Sequence, residues 1–266
     1  AVTTAGAAAA GAPVLLLHGF TGDAESLAPL TERLARSRRC LAVDLVGHGR
    51  TESPADVARY SLDAFVAPLD ALLDAHDGRP AHVVGYSLGG RAALAFAHAR
   101  PQHCASLTLV GASAGIADDE QRHARRRSDN ALADRIARHG IARFVDEWTA
   151  LPAWDGLRRR VGPAAWQESV RRRAVGHPLG LAHSLRAAGA GAMTPLWGEL
   201  GETAVPTLVL AGAEDAKFTR IGRALATELP DARFESVADA GHAAHLEQPD
   251  AVADLVLAHV ADVTSS

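Results

Sequence analysis

The feature that most constrains the fold of this chain is an alternation between short apolar segments and longer segments with helical spacing. The apolar segments are the length of strands and lack polar alternation, which is typical of strands buried on both faces of a sheet. They are Val14–Leu17, Cys40–Val43, His82–Gly85, Leu107–Val110, Thr207–Leu210 and Arg233–Val237. The predicted helices are Ala24–Ala35, Leu62–Ala75, Leu88–Ala99, Ile221–Leu229 and Val252–Val260. This order predicts an α/β fold with a mostly parallel, doubly wound sheet.

The alternation stops after Val110 and resumes at Val205. Residues 115–195 carry helical, arginine-rich sequence, with 14 arginines against nine acidic residues. We therefore predict a core of residues 1–114 and 196–266, and a helical lid of residues 115–195 over the carboxyl ends of the strands, where ligands bind in open α/β folds. The positive balance of this segment indicates that it handles anions.

Composition excludes several classes of protein. A chain of 266 residues with 48% hydrophobic and 22% charged residues is typical of a folded globular protein. A formal charge of −4 gives no basic field for nucleic acid or an anionic membrane. No apolar segment approaches the roughly 20 residues that span a bilayer, and no basic stretch leads into an apolar signal core, so we expect a cytoplasmic protein. Residues 1–12 lack the alternating apolar pattern of a leading strand, which predicts a smaller sheet at that end.

The two cysteines, Cys40 and Cys104, fit neither a disulfide scaffold nor the spacing of a metal site. No metal is predicted. We expect the protein to act on a small molecule, without a nucleic-acid or membrane partner, as a monomer or weak homo-oligomer.

The strongest chemical motif is Gly85-Tyr86-Ser87-Leu88-Gly89, which directly follows a predicted strand and precedes an alanine-rich helix. This is the G-x-S-x-G nucleophile elbow in its required strand–turn–helix context. The small glycines allow close backbone approach around the turn, and the helix that begins at Leu88 directs its amide dipoles toward charge that develops near Ser87.

A nucleophilic serine needs a base and a group that orients the base. In this fold the acid and then the histidine follow the serine along the chain. Asp215 and His242 each follow a predicted strand and complete a Ser–His–Asp triad with Ser87. Glu214 competes for the acid role, but the shorter Asp215 side chain suits a fixed contact with imidazole. We predict structural roles for His48 and His245.

The turn His18-Gly19-Phe20 closes the first predicted strand. We predict that the backbone amides of Phe20 and Leu88 form an oxyanion hole.

These residues together resemble the α/β-hydrolase superfamily over nearly the whole chain. A closer resemblance is to the MenH family, the 2-succinyl-6-hydroxy-2,4-cyclohexadiene-1-carboxylate synthases of menaquinone biosynthesis. It rests on Val84–Arg91, on Glu120–Arg122 through Arg126–Asp129, and on Glu214–Phe218, with Gly241–His245 as a less specific match.

The resemblance implies a lyase that uses its triad as a base to eliminate pyruvate from 2-succinyl-5-enolpyruvyl-6-hydroxy-3-cyclohexene-1-carboxylate, with no cofactor. This substrate carries three carboxylates, which arginines can bind bidentately. By motif position, the resemblance assigns substrate binding to Tyr86, Arg91, Arg127, Trp148, Arg173 and Lys217. Arg173 is chosen from the run Arg171–Arg173 by its spacing to Leu185.

Two other functions share much of this sequence evidence. A serine hydrolase, either a carboxylesterase or a carbon–carbon bond hydrolase, would use the same triad, but an esterase for neutral substrates would not need Arg91, Arg127 and Lys217. A non-catalytic ligand-binding member of the fold is the second alternative, and an intact nucleophile elbow argues against it.

Overall fold

Seven strands form one sheet in the computed structural model, which describes residues 1–6, 11–76 and 78–265. The strands are β1 (Val2–Ala5), β2 (Val14–Leu17), β3 (Cys40–Val43), β4 (Ala81–Tyr86), β5 (Cys104–Val110), β6 (Thr207–Gly212) and β7 (Ala232–Val237). Their order across the sheet is β1-β3-β2-β4-β5-β6-β7. β1 pairs with β3 in antiparallel orientation and every other neighbouring pair is parallel. The mostly parallel sheet expected from the sequence is therefore present.

Helices cover both faces of this sheet. Those of the described residues are α1 (Ala28–Leu34), α2 (Leu62–Ala75), α3 (Leu88–Ala99), α4 (Asp119–His139), α5 (Ile141–Thr149), α6 (Asp155–Ala174), α7 (Pro178–Ala188), α8 (Ala216–Glu228), α9 (Ala244–Glu247) and α10 (Pro249–Ser265). Leu15 and Leu17 of β2 pack into the core on the α2, α3 and α8 side, and Val14 and Leu16 pack on the α1 and α10 side. The four residues are fully buried, which explains why β2 has no polar alternation.

The N-terminal edge of the sheet is a short antiparallel strand. Residues 2–5 form β1, whose register pairs Val2 with Val43 and Ala5 with Cys40. Residues 2–5 thus form a strand although they lack the alternating apolar pattern, and residues 7–10 lie outside the described part. The expectation of a smaller sheet stays a prediction. An edge strand is held by backbone hydrogen bonds on one side and is partly exposed here. It therefore needs no strongly apolar pattern.

The segment between β5 and β6 is helical, as the sequence indicates. It contains α4 to α7 and no strand, and all of its residues are described. We call residues 115–195 the helical insertion. It has an apolar cluster of its own, in which Ile136, Phe144, Leu181 and Leu185 are buried. The division into core and lid stays a prediction.

Close backbone packing fixes the turn between β4 and α3. A Cβ atom on Gly89 would lie 2.2 Å from the carbonyl oxygen of Leu17 and 2.5 Å from that of His18. These are backbone atoms of β2 and the loop that follows it, so they cannot rotate away. Ser87, at the turn, has φ = 51° and ψ = −106°, a strained conformation for a residue with a side chain. Only glycine at position 89 lets α3 approach β2 closely enough to hold this turn.

Gly89→Ala is therefore expected to displace α3 from β2 and to lower the free energy of unfolding by about 1–3 kcal/mol, the usual cost of forced overpacking. Chemical denaturation followed by circular dichroism measures this loss. Gly198→Ala is the matched control, because nothing lies within 4 Å of the Cβ position there. Equal stability of the two variants would contradict the argument.

Two buried histidines make the fold sensitive to acid. His48 and His245 are each 2% exposed, and desolvation by burial is the main cause that lowers the pKa of each to about 3. In the unfolded chain these imidazoles bind a proton near pH 6.5. The unfolded state thus binds more protons than the folded state between about pH 6.5 and pH 3, so stability falls as the pH falls through this window.

His245→Phe is expected to weaken this pH dependence. The ring of His245 packs 4.1 Å from that of Tyr86, and Nδ1 has no hydrogen-bond partner among the described residues, so phenylalanine keeps the packing and removes the titration. Between pH 7 and pH 5 the wild type should lose about 2 kcal/mol more unfolding free energy than the variant. Urea denaturation at both pH values measures the difference; parallel losses in the two proteins would contradict the prediction.

Candidate active site

The structure brings Ser87, His242 and Asp215 together at the carboxyl edge of the sheet. Nε2 of His242 lies 3.3 Å from Oγ of Ser87, and Nδ1 lies 2.9 Å from Oδ2 of Asp215. Ser87 directly follows β4, Asp215 follows β6, and His242 comes after β7. Because parallel strands end at the same edge, residues far apart in sequence meet there. The arrangement allows His242 to accept a proton from Ser87 while Asp215 holds the imidazole.

Asp215 is kept ionised by its hydrogen bonds. Burial opposes ionisation, but the contact with His242 and a hydrogen bond from the backbone amide of Phe218, at 3.1 Å, together lower the pKa of the carboxyl group below its usual value. Asp215 is the N-cap residue of α8, where the helix dipole also favours a negative charge. A carboxylate is therefore available to stabilise the imidazolium form of His242.

Glu214, the competing candidate for the acid, points elsewhere. Its carboxylate pairs with Arg160, and Arg159 lies 3.6 Å away. Both arginines belong to α6 of the helical insertion. The neighbouring side chains of Glu214 and Asp215 thus have separate partners, and only Asp215 contacts His242.

The loop that carries Phe20 is held by a buried histidine. The backbone amide of Leu45 donates a hydrogen bond of 3.0 Å to Nε2 of His18, so Nδ1 carries the proton and donates to the carbonyl oxygen of Gly19 at 2.8 Å. Burial lowers the pKa of His18, which favours this neutral form. Phe20 and Leu88 both line the same cavity as Ser87. The oxyanion role of their amides stays a prediction.

A cavity of about 760 Å³ lies above the serine, within the range of small-molecule sites. The triad residues line it together with side chains of the helical insertion. Of the predicted substrate-binding residues, four lie on its wall: Tyr86, Arg91, Trp148 and Lys217. Tyr86 is buried, which raises the pKa of its hydroxyl. Trp148 packs edge-to-face on Phe20 at 5.5 Å between ring centroids.

Among the described residues, Arg91 and Lys217 are cations of the cavity wall with no carboxylate at ion-pair distance. Arg91, in α3, donates from Nη1 to the carbonyl oxygen of Ala188. Burial, and then the neighbouring Arg125, lower the pKa of Arg91 to about 10. Within the described residues no carboxylate oxygen lies within 4.0 Å of a side-chain nitrogen of either Arg91 or Lys217. A buried cation is costly unless it is paired, so the part of the cavity around Arg91 is suited to an anionic ligand. Lys217 is exposed.

Arg127, a predicted substrate-binding residue, does not line this cavity, and its role in binding stays a prediction. It is exposed on α4 and is not part of the cavity wall, whereas Arg125 and Asp129 are. Nε of Arg125 donates to Oδ1 of Asp129 at 2.8 Å, one helical turn further on. Residues two positions apart on a helix point to nearly opposite sides, so the same helix cannot present both Arg125 and Arg127 to the cavity. Helical spacing from Asp129 was the signal that could have identified Arg125.

Arg173, also predicted to bind substrate, lies outside the main cavity, and its role in binding likewise stays a prediction. Its side chain is buried, stacks 4.3 Å from the centre of the Trp154 ring and donates a hydrogen bond to Oγ1 of Thr21. Trp154 lines the main cavity, while Arg173 lines two smaller ones. Spacing along the chain could not show this, because the contact with Trp154 is between residues on different segments of the helical insertion.

The sequence analysis also missed side chains that contact the triad loops from outside the cavity, namely Arg160 and Glu247. Glu247 is completely buried at its side chain and forms an ion pair with Arg160. No motif marks either residue.

Within the described residues, no group of three or more His, Cys, Asp or Glu side chains is arranged to hold a metal ion. No helix of these residues is long and apolar enough to cross a membrane.

Comparisons with known proteins agree with this architecture. The family model described as "alpha/beta hydrolase fold" matches residues 12–249. A protein of Bacillus subtilis (strain 168) is 36% identical over 237 residues, covering 89% of this chain and 85% of that protein. The 2-succinyl-6-hydroxy-2,4-cyclohexadiene-1-carboxylate synthase of Klebsiella pneumoniae is 32% identical over 240 residues, covering 90% of each chain.

A solved structure is similar over almost the whole chain. The structure of MenH from S. aureus superimposes with a TM-score of 0.92 at 30% identity, and covers 99% of this chain and 98% of that one. Fold, chain length and sequence thus agree along the same span. The chain belongs to the α/β-hydrolase fold family and, within it, to the MenH group of 2-succinyl-6-hydroxy-2,4-cyclohexadiene-1-carboxylate synthases.

Proposed function

We propose that this protein is a lyase that eliminates pyruvate from 2-succinyl-5-enolpyruvyl-6-hydroxy-3-cyclohexene-1-carboxylate to give 2-succinyl-6-hydroxy-2,4-cyclohexadiene-1-carboxylate, a step of menaquinone biosynthesis. The observation that carries the proposal is the pair of cations, Arg91 and Lys217, that share a cavity with Ser87 and have no carboxylate partner among the described residues. The relatives' names specify the same product.

The proposed chemistry is a proton transfer followed by loss of a leaving group. His242, oriented by Asp215, takes the proton of Ser87, and the serine oxygen removes a ring proton next to the succinyl ketone. The electron pair of that C–H bond shifts toward the ring double bond, whose electrons shift in turn. The bond between the ring carbon and the enolpyruvyl oxygen then breaks, and its electrons leave with the oxygen as the enolate of pyruvate. That enolate gains a proton, so the reaction is redox-neutral and balanced. The Phe20 and Leu88 amides are proposed to stabilise the negative charge that develops on oxygen.

The helical insertion is proposed to act as the lid of this site. It supplies Arg125, Trp148 and Trp154 to the wall of the cavity that the triad also lines. A substrate with three carboxylates must lose most of its water on binding, and guanidinium groups replace that water by charge-assisted hydrogen bonds. Arg91, Arg125 and Lys217 are the cations that we assign to these carboxylates. A cytoplasmic location and a monomeric or weakly associating state stay predictions.

Ser87→Ala is expected to lower kcat by about a thousandfold or more, as removal of a triad nucleophile does in other enzymes, while the substrate still binds. Pyruvate release, coupled to lactate dehydrogenase and followed by NADH absorbance, measures kcat. Isothermal titration of the variant with substrate measures binding. Turnover close to that of the wild type would remove Ser87 from the mechanism.

Arg125→Ala is expected to raise KM about 10- to 100-fold with a smaller change in kcat, because a charge-assisted hydrogen bond to a carboxylate contributes about 1.5–3 kcal/mol in ground and transition states alike. Arg127→Ala is the matched control on the same helix and should leave both constants within about twofold, because surface changes away from a site have small effects. A raised KM for Arg127→Ala with an unchanged KM for Arg125→Ala would place Arg127, not Arg125, against the substrate.

The same assays separate the lyase from a serine hydrolase of the same fold. The wild type should release pyruvate rapidly and hydrolyse p-nitrophenyl acetate slowly, because the cavity presents cations to a polyanion. Rapid ester hydrolysis without pyruvate release would make the carboxylesterase or carbon–carbon bond hydrolase the better assignment.

A further inference from the structure

A fully buried carboxylate lies beneath the loop that carries His242. The Glu247 side chain has no exposed surface. Its Oε2 accepts a hydrogen bond of 3.0 Å from the amide of Gly241, and its Oε1 accepts one of 3.3 Å from the amide of Ala243. These two amides belong to the residues on either side of His242. Glu247 therefore fixes the backbone of the histidine loop.

One arginine of the helical insertion connects this carboxylate to the other triad loop. Nη1 of Arg160 donates to Oε2 of Glu247 at 2.6 Å, and Nη2 donates to Oε1 of Glu214. Glu214 immediately precedes Asp215. The guanidinium of Arg160 thus connects α6 to the loop that carries His242 and, through Glu214, to the loop that carries Asp215. It uses both terminal nitrogens of its planar group.

Gly156 packs closely against the side chains of Arg160 and Glu247. A Cβ atom on Gly156, one turn before Arg160 on α6, would lie 2.5 Å from Oε2 of Glu247 and 2.7 Å from Nη1 of Arg160. Gly156 has no positive φ, so close packing, not backbone conformation, accounts for glycine there. A side chain on Gly156 would therefore displace the ends of the Glu247 and Arg160 side chains.

We propose that Arg160 is a positioning residue that sets the alignment of the His242–Asp215 pair and makes that alignment depend on the docking of the helical insertion. The proposal deepens the function proposed above and rests on it for its turnover measurements. Arg160 is not part of the cavity wall, whereas its neighbour Arg159 is. Arg160 therefore acts through the two loops and does not contact the substrate.

The physical reason is the cost of leaving Glu247 without its cation. A buried carboxylate with one partner removed must gain water or change position, and movement of Glu247 shifts the amides of Gly241 and Ala243. A displacement of about 1 Å at a reacting group costs on the order of a hundredfold in rate. Loss of Arg160 should thus reduce kcat through His242 while the cations that bind the substrate remain in place.

The test compares Arg160→Met and Arg160→Lys with Arg100→Met. Arg100 also forms an ion pair with a partly buried carboxylate, Asp70, at 3.0 Å, but it lies at the end of α3 remote from Ser87. For each protein the melting temperature, kcat and KM for pyruvate release are measured, together with the rate constant for inactivation by phenylmethanesulfonyl fluoride. The last quantity reports the reactivity of Ser87 without the proposed substrate.

We expect Arg160→Met to lower kcat and the inactivation rate constant by about tenfold or more, with KM within about threefold. Arg160→Lys, whose ammonium is a point charge without the planar fork, should lie between this variant and the wild type, and Arg100→Met should match the wild type in both rates. If Arg160→Met fails to fold, Arg160→Lys carries the test, and a loss of about threefold in both rates supports the proposal.

Rates within twofold of the wild type for a folded Arg160→Met protein, with only a lower melting temperature, would overturn the proposal and leave Arg160 a purely structural role. Wild-type protein that releases no pyruvate but shows the expected pattern of inactivation rates would support the positioning role of Arg160 and reject the proposed substrate. The two hypotheses can therefore fail separately.

Discussion

The contact between the start of α3 and the end of β2 is the constraint on which the candidate site depends. Gly89 lies against the carbonyl oxygens of Leu17 and His18 so closely that no side chain fits. This approach brings three things together: the strained turn at Ser87, the N-terminus of α3, and the loop that carries Phe20. His18 holds that loop through its Leu45 and Gly19 contacts. Strain at a nucleophilic serine persists because packing on both sides of the turn opposes its relaxation.

The cavity wall carries cationic side chains, which binding of a neutral ester would not require. Arg125 has a protein partner in Asp129, which holds its guanidinium at the wall. Arg91 is more deeply buried and has no such carboxylate among the residues that the structure describes. The fold bears the cost of this unpaired charge, and a substrate carboxylate would relieve it. In the proposed reaction the triad supplies the base, and the cations select an anionic substrate.

The sequence predicted the strands of the sheet interior well, because burial on both faces leaves an apolar run that is hard to mistake. β2 and β3 have the predicted bounds. It predicted the edge poorly, since β1 is partly exposed and depends on backbone pairing with β3. Within the helical insertion the sequence selected Arg127 of α4, whereas the arginine of that helix that lines the cavity is Arg125. Composition shows that a helix is basic, while the rotation of the helix about its axis depends on its packing.

Several properties of this protein follow from the sequence alone: the α/β class, the place of the serine at a strand–helix turn, and the chain order of serine, acid and histidine. Each depends on local signals, such as hydrophobic periodicity, glycine at tight turns and strand ends that share one edge. Only the tertiary structure decided which arginines face the cavity and that Arg160 connects α6 to both triad loops. These contacts join residues more than fifty positions apart, and ion pairs of this kind leave no periodic trace, because a single charged side chain has no required spacing along the chain.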